Sequence, residues 1–179
     1  MRRKIEHIIE HECKVKSFVK GTFDEKRILK DSAKIHFRTG HNFPLKGLLF
    51  GVKDIINVDG YPTRCGSSLP HELFKGFQAS CVSKLLNAGA IFAGKTVTAE
   101  FAVSDPGETR NPRNLSYTPG GSSSGSAASV AAGFCDIAIG TQTSGSVIRP
   151  AGYCGTIGYK PSFGRISRDG VLLLSLIHI

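Results

Sequence analysis

Two glycine- and serine-rich clusters, GGSSSGS at residues 120–126 and TQTSGS at residues 141–146, constrain this chain more than any other feature of its sequence. Low-complexity Gly/Ser sequence is typical of flexible linkers. Here, however, the clusters enclose an apolar, helix-compatible segment at residues 127–132 and a strand-like run at residues 137–139. We therefore predict two tight loops at the ends of buried elements, with hydroxyl and N–H groups that face one shared site.

A second unusual feature is Lys53, which lies inside the strand-rich apolar run PLKGLLFGVKDIINVD of residues 44–59. A lysine in this position can be an edge-strand charge that discourages aggregation. It can also be a buried amine, whose pKa falls because burial disfavours the charged form. A buried lysine of the second kind is able to act as a general base.

The first 43 residues carry much of the positive charge and show helical periodicity. Apolar spacing predicts two helices within residues 4–34, with breaks at Gly21 and Gly40. Residues 1–46 hold 12 Lys/Arg and 6 Asp/Glu, against a net charge of +9 for the whole chain. Because both signs are mixed, we interpret this segment as a solvated helical face and not as a surface for nucleic acid or membrane.

Residues 80–88 predict a short amphipathic helix, capped by Ser80 and stopped at Gly89, with a strand after it. GAIFAGKT at residues 89–96 also matches the phosphate-binding pattern G-x-x-x-x-G-K-[ST]. Such a loop needs a flexible turn between a strand and a helix, with its amides pointing inward. Here the middle residues are Ala-Ile-Phe-Ala and a helix precedes them, so a nucleotide-binding module is only a remote alternative.

The cysteines and the amino-terminal sequence indicate in which cellular compartment the protein folds. The cysteine count is odd and no C-x-x-C pair occurs, which argues against a disulfide framework or a zinc site. No secretory signal pattern begins the chain, and no apolar run approaches the roughly 20 residues of a membrane helix. We predict a cytoplasmic protein with reduced thiols and with neither metal nor cofactor. The cysteines are Cys13, Cys65, Cys81, Cys135 and Cys154.

Serine-rich loops and a lysine in an apolar strand indicate one type of chemistry. A serine hydroxyl attacks a carbonyl when a neighbouring group takes its proton. Histidine is the usual base, but none of the six histidines lies in the apolar or glycine-rich motifs. A serine–lysine arrangement is the alternative, and it requires the lysine pKa to fall by roughly 3 units from about 10.4.

Four motifs in this order and spacing resemble the amidase signature family. They are GVKD at 51–54, GAIFAGKTVTAEFA at 89–102, TPGGSSSGSAA at 118–128 and GTQTSGSVIRPAGYCGTIGYKPSFGRIS at 140–167. The resemblance spans about residues 44–173. It implies an α/β fold with a mixed β-sheet core flanked by helices, truncated at the carboxyl terminus because family members are much longer.

The same resemblance divides the chain. Residues 1–43 are then an N-terminal helical segment, and residues 44–173 the N-terminal part of the amidase domain. The last six residues, LSLIHI, end an uncapped apolar run and match one reading frame of a common sequencing adapter. We expect residues 174–179 to be a non-native read-through tail, and the fragment alone to be inactive.

In this family a Ser–cisSer–Lys triad hydrolyses amides. The resemblance implies that Ser146 is the nucleophile, that Ser122, after a cis peptide bond, relays the proton, and that Lys53 is the base. From its position alone, Ser122 also fits an N-cap for the following helix. The oxyanion hole falls on the backbone N–H groups of Thr143, Ser144, Gly145 and Ser146.

Two positions depart from the family pattern. Ser144 replaces a common glycine, and Gln142 replaces an aspartate that tends to pair with the arginine at the position of Arg149. We expect hydrogen bonds to balance Arg149, which we interpret as a structural fork and not as a substrate clamp.

The function implied is hydrolysis of a small-molecule carboxamide through a serine acyl-enzyme. The alternative within the same fold is the amidase subunit of a tRNA-dependent glutamine amidotransferase. The resemblance therefore allows a homodimer or amidotransferase partner subunits, and we expect no direct contact with nucleic acid or membrane.

Overall fold

The computed structural model describes residues 1–37 and 43–173, which form three strands, five α-helices and two short 3-10 helices. The predicted break at Gly40 and the predicted read-through tail at residues 174–179 lie outside the described residues. In chain order the elements are α1 (Arg2–Val15), α2 (Glu25–Phe37), β1 (Leu49–Lys53), a 3-10 turn (His71–Phe74), α3 (Ser80–Asn87), β2 (Ile91–Thr96), a 3-10 turn (Glu100–Ala102), α4 (Ser124–Ala131), β3 (Ile137–Ile139) and α5 (Ile148–Cys154).

The three strands form one parallel sheet in the order β2-β1-β3, with β1 in the centre. Every residue of β1 and of β2 is buried, as expected for parallel strands that are covered on both faces. Antiparallel pairing occurs among the described residues only as isolated bridges, such as the one between Phe18 and Thr96. The α/β class with flanking helices is confirmed, and the sheet within the described residues is parallel, where the resemblance implied a mixed sheet.

Two separate apolar clusters cover the two faces of this sheet, because alternate strand residues point to opposite sides. One cluster joins α1 and α4 to the sheet and includes Ile5, Leu49 and Ala128. The other joins α3 to the opposite face and includes Phe50 and Val82. The sheet is therefore a central layer, and each face of it offers a different environment to a buried polar side chain.

Most elements that the sequence predicts are present. The helix after Ser80 stops before Gly89, whose φ of +92° suits glycine, and β2 follows it. The cap assigned to Ser80 was wrong. Ala79 occupies the N-cap position without a side-chain hydrogen bond. The Ser80 hydroxyl instead donates to Asp169 Oδ2 at 3.3 Å, because the segment that contains Asp169 lies beside the start of α3.

Helix α4 begins next to the carboxyl ends of β1 and β2. Gly125, in its first turn, lies so close to the main chain of Ser17 and Val97 that a Cβ would collide with both. Its N–H also donates to the Val97 carbonyl at 2.9 Å. This close approach requires glycine, and it brings the serines before α4 to the end of β1.

Candidate active site

Lys53 is the last residue of β1, and its side chain is fully buried, with 0% exposure. Its Nζ lies 2.7 Å from Ser122 Oγ and 2.9 Å from Thr141 Oγ1. Burial lowers the pKa of this amine from 10.5 to about 7. Of the two interpretations made from sequence, the structure therefore supports a buried amine and not an edge-strand charge.

Ser122 stands between the cis peptide bond from Gly121 and the start of α4. It is fully buried, and its hydroxyl faces Lys53. Its carbonyl accepts a hydrogen bond from the N–H of Ala99 at 3.0 Å. Ser122 is not the helix cap, because Ser123 holds the N-cap position of α4, where no side-chain cap bond forms.

Ser146 closes the second glycine- and serine-rich cluster and is 8% exposed. Its carbonyl accepts the N–H of Ser123 at 3.1 Å, so the two clusters are joined through their main chains. The hydrogen bonds of the described residues therefore connect Lys53 to Ser122 through side chains, and Ser123 to Ser146 through backbone. No hydrogen bond between the hydroxyls of Ser122 and Ser146 is among them.

The loop from Thr143 to Ser146 presents its amides without internal partners. None of these four N–H groups donates to an acceptor in residues 1–37 or 43–173. The loop is held from its ends, because Gln142 Oε1 accepts the N–H of Val147 at 2.8 Å and that of Ile148 at 2.9 Å. Free, fixed amides of this kind can bind an oxyanion.

Arg149 contacts the peptide group that precedes Ser122. Its Nε and Nη2 donate to the Gly121 carbonyl at 3.0 and 2.7 Å. Gln142, at the position where the resemblance expects an aspartate, instead accepts two N–H groups at the start of α5. Hydrogen bonds to a carbonyl therefore engage Arg149, in agreement with the structural fork expected from sequence.

Next to Lys53 in sequence, Asp54 forms a buried ion pair with Lys95 of β2, with 2.8 Å between Lys95 Nζ and Asp54 Oδ1. Both side chains are essentially unexposed, and Lys95 also donates to Thr63 Oγ1 at 3.0 Å. Lys95 is the lysine of the phosphate-loop pattern. Because it lies in a buried strand and is paired with a carboxylate, its surroundings do not fit a phosphate site.

Sequence reasoning missed Thr141 and the Asp54–Lys95 pair. The signal available was position: Lys53 ends β1, and Thr141 follows β3 by two residues. The carboxyl ends of neighbouring parallel strands meet at one edge of a sheet, where α/β proteins build their sites. Thr141 could have been found from that rule, once the sheet order was known.

The described residues contain no group of three or more His, Cys, Asp or Glu side chains that could hold a metal ion. Across the same ranges, no helix is long and apolar enough to cross a membrane.

Comparisons with known proteins agree with this geometry. A family model described as Amidase matches residues 2–178. A glutamyl-tRNA(Gln) amidotransferase subunit from Salinibacter ruber is 48% identical over 139 residues, which is 74% of this chain and 27% of that protein. This chain therefore spans about a quarter to a third of the length of the curated relatives it matches.

Two crystal structures have closely similar folds. The native peptide amidase from Stenotrophomonas maltophilia has a TM-score of 0.85 and 33% identity, over 97% of this chain and 38% of that one. The corresponding glutamyl-tRNA(Gln) amidotransferase subunit from Thermotoga maritima has a TM-score of 0.79 and 34% identity, over 95% and 36%.

Proposed function

Because this chain belongs to the amidase family, we propose that the full-length protein carrying it hydrolyses a carboxamide C–N bond through a serine acyl-enzyme. The observation that carries the proposal is the buried Lys53 amine, 2.7 Å from Ser122 Oγ. Its partners are hydroxyl groups, and within the described ranges no carboxylate holds it in the charged form. A neutral amine beside a serine hydroxyl is a base ready to accept a proton.

In the first step, Lys53 Nζ accepts the proton of Ser122 Oγ, and Ser122 Oγ takes the proton of Ser146 Oγ. The Ser146 oxygen then bonds to the amide carbonyl carbon, and the carbonyl π electrons move to its oxygen. The N–H groups of Thr143, Ser144, Gly145 and Ser146 stabilise that oxyanion. The loss of one such donor typically costs about 2.7–4 kcal/mol of transition-state stabilisation.

In the second step, the C–N bond breaks and Ser122 passes its proton to the leaving nitrogen. The proton on Lys53 returns to Ser122, which restores the base. Water then attacks the ester of Ser146 by the same relay and releases the acid. All three triad positions are then used twice, once to form the acyl-enzyme and once to hydrolyse it.

The second candidate function is the amidase subunit of a tRNA-dependent glutamine amidotransferase. It is favoured by the name of the Salinibacter ruber relative, which is a subunit of such an enzyme. The chemistry at Ser146 would be the same, with glutamine as substrate and a partner subunit that receives the ammonia. Glutaminase activity that rises when a charged tRNA and the partner subunits are added would identify this function.

In either function, the substrate is a small-molecule amide. We further propose that any protein partner is a second copy or another component of an amidotransferase, and that the compartment is the cytoplasm. The free thiols of Cys65, Cys135 and Cys154, all buried, support a reducing compartment.

The direct test is to trap the acyl-enzyme on full-length protein. A short incubation with an amide or ester substrate, followed by acid quench and peptide mass spectrometry, should place the acyl mass on the peptide that contains Ser146. Ser146→Ala should abolish both the adduct and turnover. An adduct on another residue, or turnover by Ser146→Ala, would contradict the proposal.

A further inference from the structure

We propose that Thr141 is a positioning residue: its hydroxyl takes one N–H of Lys53 and thereby turns the lone pair of that amine toward Ser122. The inference rests on the proposed function, since it concerns the same base. Thr141 belongs to the loop after β3, and Lys53 to the end of β1, so two neighbouring strands bring the two side chains together.

The valence of the amine limits how it can bind its two partners. A neutral primary amine has two N–H groups and a single lone pair, and it can accept a proton only through the lone pair. Ser122 Oγ, at 2.7 Å, must face that lone pair for the relay to run. Neither N–H can then bond to Ser122, and an unsatisfied buried donor is costly. Thr141 Oγ1, at 2.9 Å, is the other acceptor found among the described residues.

Ser123 fixes Thr141 through two backbone hydrogen bonds. Its hydroxyl donates to the Thr141 carbonyl at 3.2 Å and accepts the Thr141 N–H at 3.3 Å. Gly140 permits this contact, because a Cβ there would lie 2.6 Å from Ser123 Oγ. Ser122 and Ser123 are adjacent, so one dipeptide places both partners of Lys53, the first directly and the second through Thr141.

Charged side chains on the surrounding elements do not supply this orientation. Asp54 and Lys95 are paired with each other, and Arg149 binds the Gly121 carbonyl. Neither an ion pair nor a hydrogen bond links any of them to Lys53 within the described part of the chain. The two hydroxyls are therefore the groups that decide which way the amine faces.

Loss of the Thr141 hydroxyl should shift the pKa of Lys53 in one direction only. The ammonium form has three N–H groups to satisfy and the neutral amine has two, so removal of an acceptor disfavours the ammonium form more. The pKa of Lys53 then falls further. The acid limb of kcat/KM, which marks where the free enzyme's base gains its proton, moves to lower pH.

The experiment compares three variants of the full-length enzyme. Thr141→Val keeps the shape and removes the hydroxyl, Thr141→Ser keeps the hydroxyl, and Thr109→Val removes a buried threonine hydroxyl that donates to the Lys16 carbonyl instead. For Thr141→Val we expect kcat to fall about tenfold, the size of one hydrogen bond, with KM within about twofold. Its acid limb should move to lower pH. Thr141→Ser and Thr109→Val should stay near wild type.

Three results would overturn the inference. They are a Thr141→Val enzyme with unchanged kcat and acid limb, a loss of activity that Thr141→Ser does not restore, and an acid limb that moves to higher pH. If wild type and Ser146→Ala are equally inactive on amides, the proposed function has failed. The pKa of Lys53, measured by NMR of ε-¹³C-lysine protein, then decides the inference alone: it should be lower in Thr141→Val than in wild type, and an equal or higher value would overturn it.

Discussion

Lys53 and Lys95 lie on adjacent strands, and both are fully buried, yet the groups that contact their amines differ. Lys95 faces Asp54 at 2.8 Å, on the sheet face covered by α3. Lys53 faces Ser122 and Thr141, on the side of the sheet covered by α4. One lysine has a carboxylate as its partner, and the other has only hydroxyls among the described residues.

This difference separates a structural lysine from a chemical one. Burial lowers the pKa of both amines and raises that of Asp54, but the opposite charges of Lys95 and Asp54 oppose the shifts of these two groups. The carboxylate therefore favours the charged form of Lys95, and removal of either partner leaves the other buried without its ion pair. Hydroxyl partners give no such opposition, and Lys53 can lose and regain a proton near neutral pH. The strand position makes a lysine buried, and its partner decides what the lysine does.

The largest expected effect follows from removal of the base. In full-length protein, Lys53→Met should lower kcat/KM for amide hydrolysis by about 10⁴-fold, because no other base in the described part of the chain contacts the Ser122 hydroxyl. The melting temperature should not fall, since methionine fills a similar apolar volume and removes the cost of a buried amine whose pKa is lowered on folding. An enzyme that retains more than a tenth of its activity would break the distinction between the two lysines.

The complementary change should act on stability. Lys95→Met leaves Asp54 buried and unpaired, and should lower the free energy of unfolding by about 3–5 kcal/mol. Urea denaturation measures this loss. A double change, Asp54→Leu with Lys95→Met, removes both charges and should recover most of it. Equal losses for the single and double variants would show that the ion pair is not the reason for the effect.

A smaller effect concerns pH. Lys53 is charged below its folded pKa of about 7 and then cannot accept a proton. The wild-type kcat/KM should therefore fall by about tenfold per pH unit below pH 7. A pH–rate profile measures the limb, and Thr109→Val serves as the matched control with the same limb. A profile that stays flat from pH 5 to pH 8 would assign the base to another group.

The smallest effect is the linkage between pH and folding. The folded pKa of Lys53 lies below its unfolded value, so the unfolded chain binds the extra proton between about pH 7 and pH 10, and stability rises with pH in that window. From pH 7 to pH 8, wild type should gain about 1 kcal/mol relative to Lys53→Met. Parallel denaturation series give this difference. An unchanged difference would mean that Lys53 stays charged in the folded protein.

Much of the fold could be predicted from the sequence. The apolar strand around Lys53, the helix after Ser80 and the two glycine-rich loops follow from local pattern and turn chemistry. The triad positions came from motif resemblance, and the structure brings Lys53 and Ser122 within hydrogen-bond distance. The roles of Ser146 and of the amides from Thr143 to Ser146, and the domain boundary at residue 43, remain predictions.

The remainder depends on tertiary contacts that no local pattern contains. Asp54 and Lys95 are 41 positions apart in the chain, and only the pairing of β1 with β2 brings them together. Thr141 is 88 positions from Lys53. Serine is a common N-cap residue, but the Ser80 hydroxyl donates to Asp169 instead. Long-range geometry decides each of these cases.

The pKa of the Lys53 ε-amine itself tests most directly whether Lys53 is the base. Full-length protein labelled with ε-¹³C-lysine can be titrated by NMR, with Lys53→Met to assign the resonance. If Lys53 is the base, its pKa should be about 7. A value near the ordinary 10.5 would mean that the amine stays charged at neutral pH, and would contradict the assignment of Lys53 as the base.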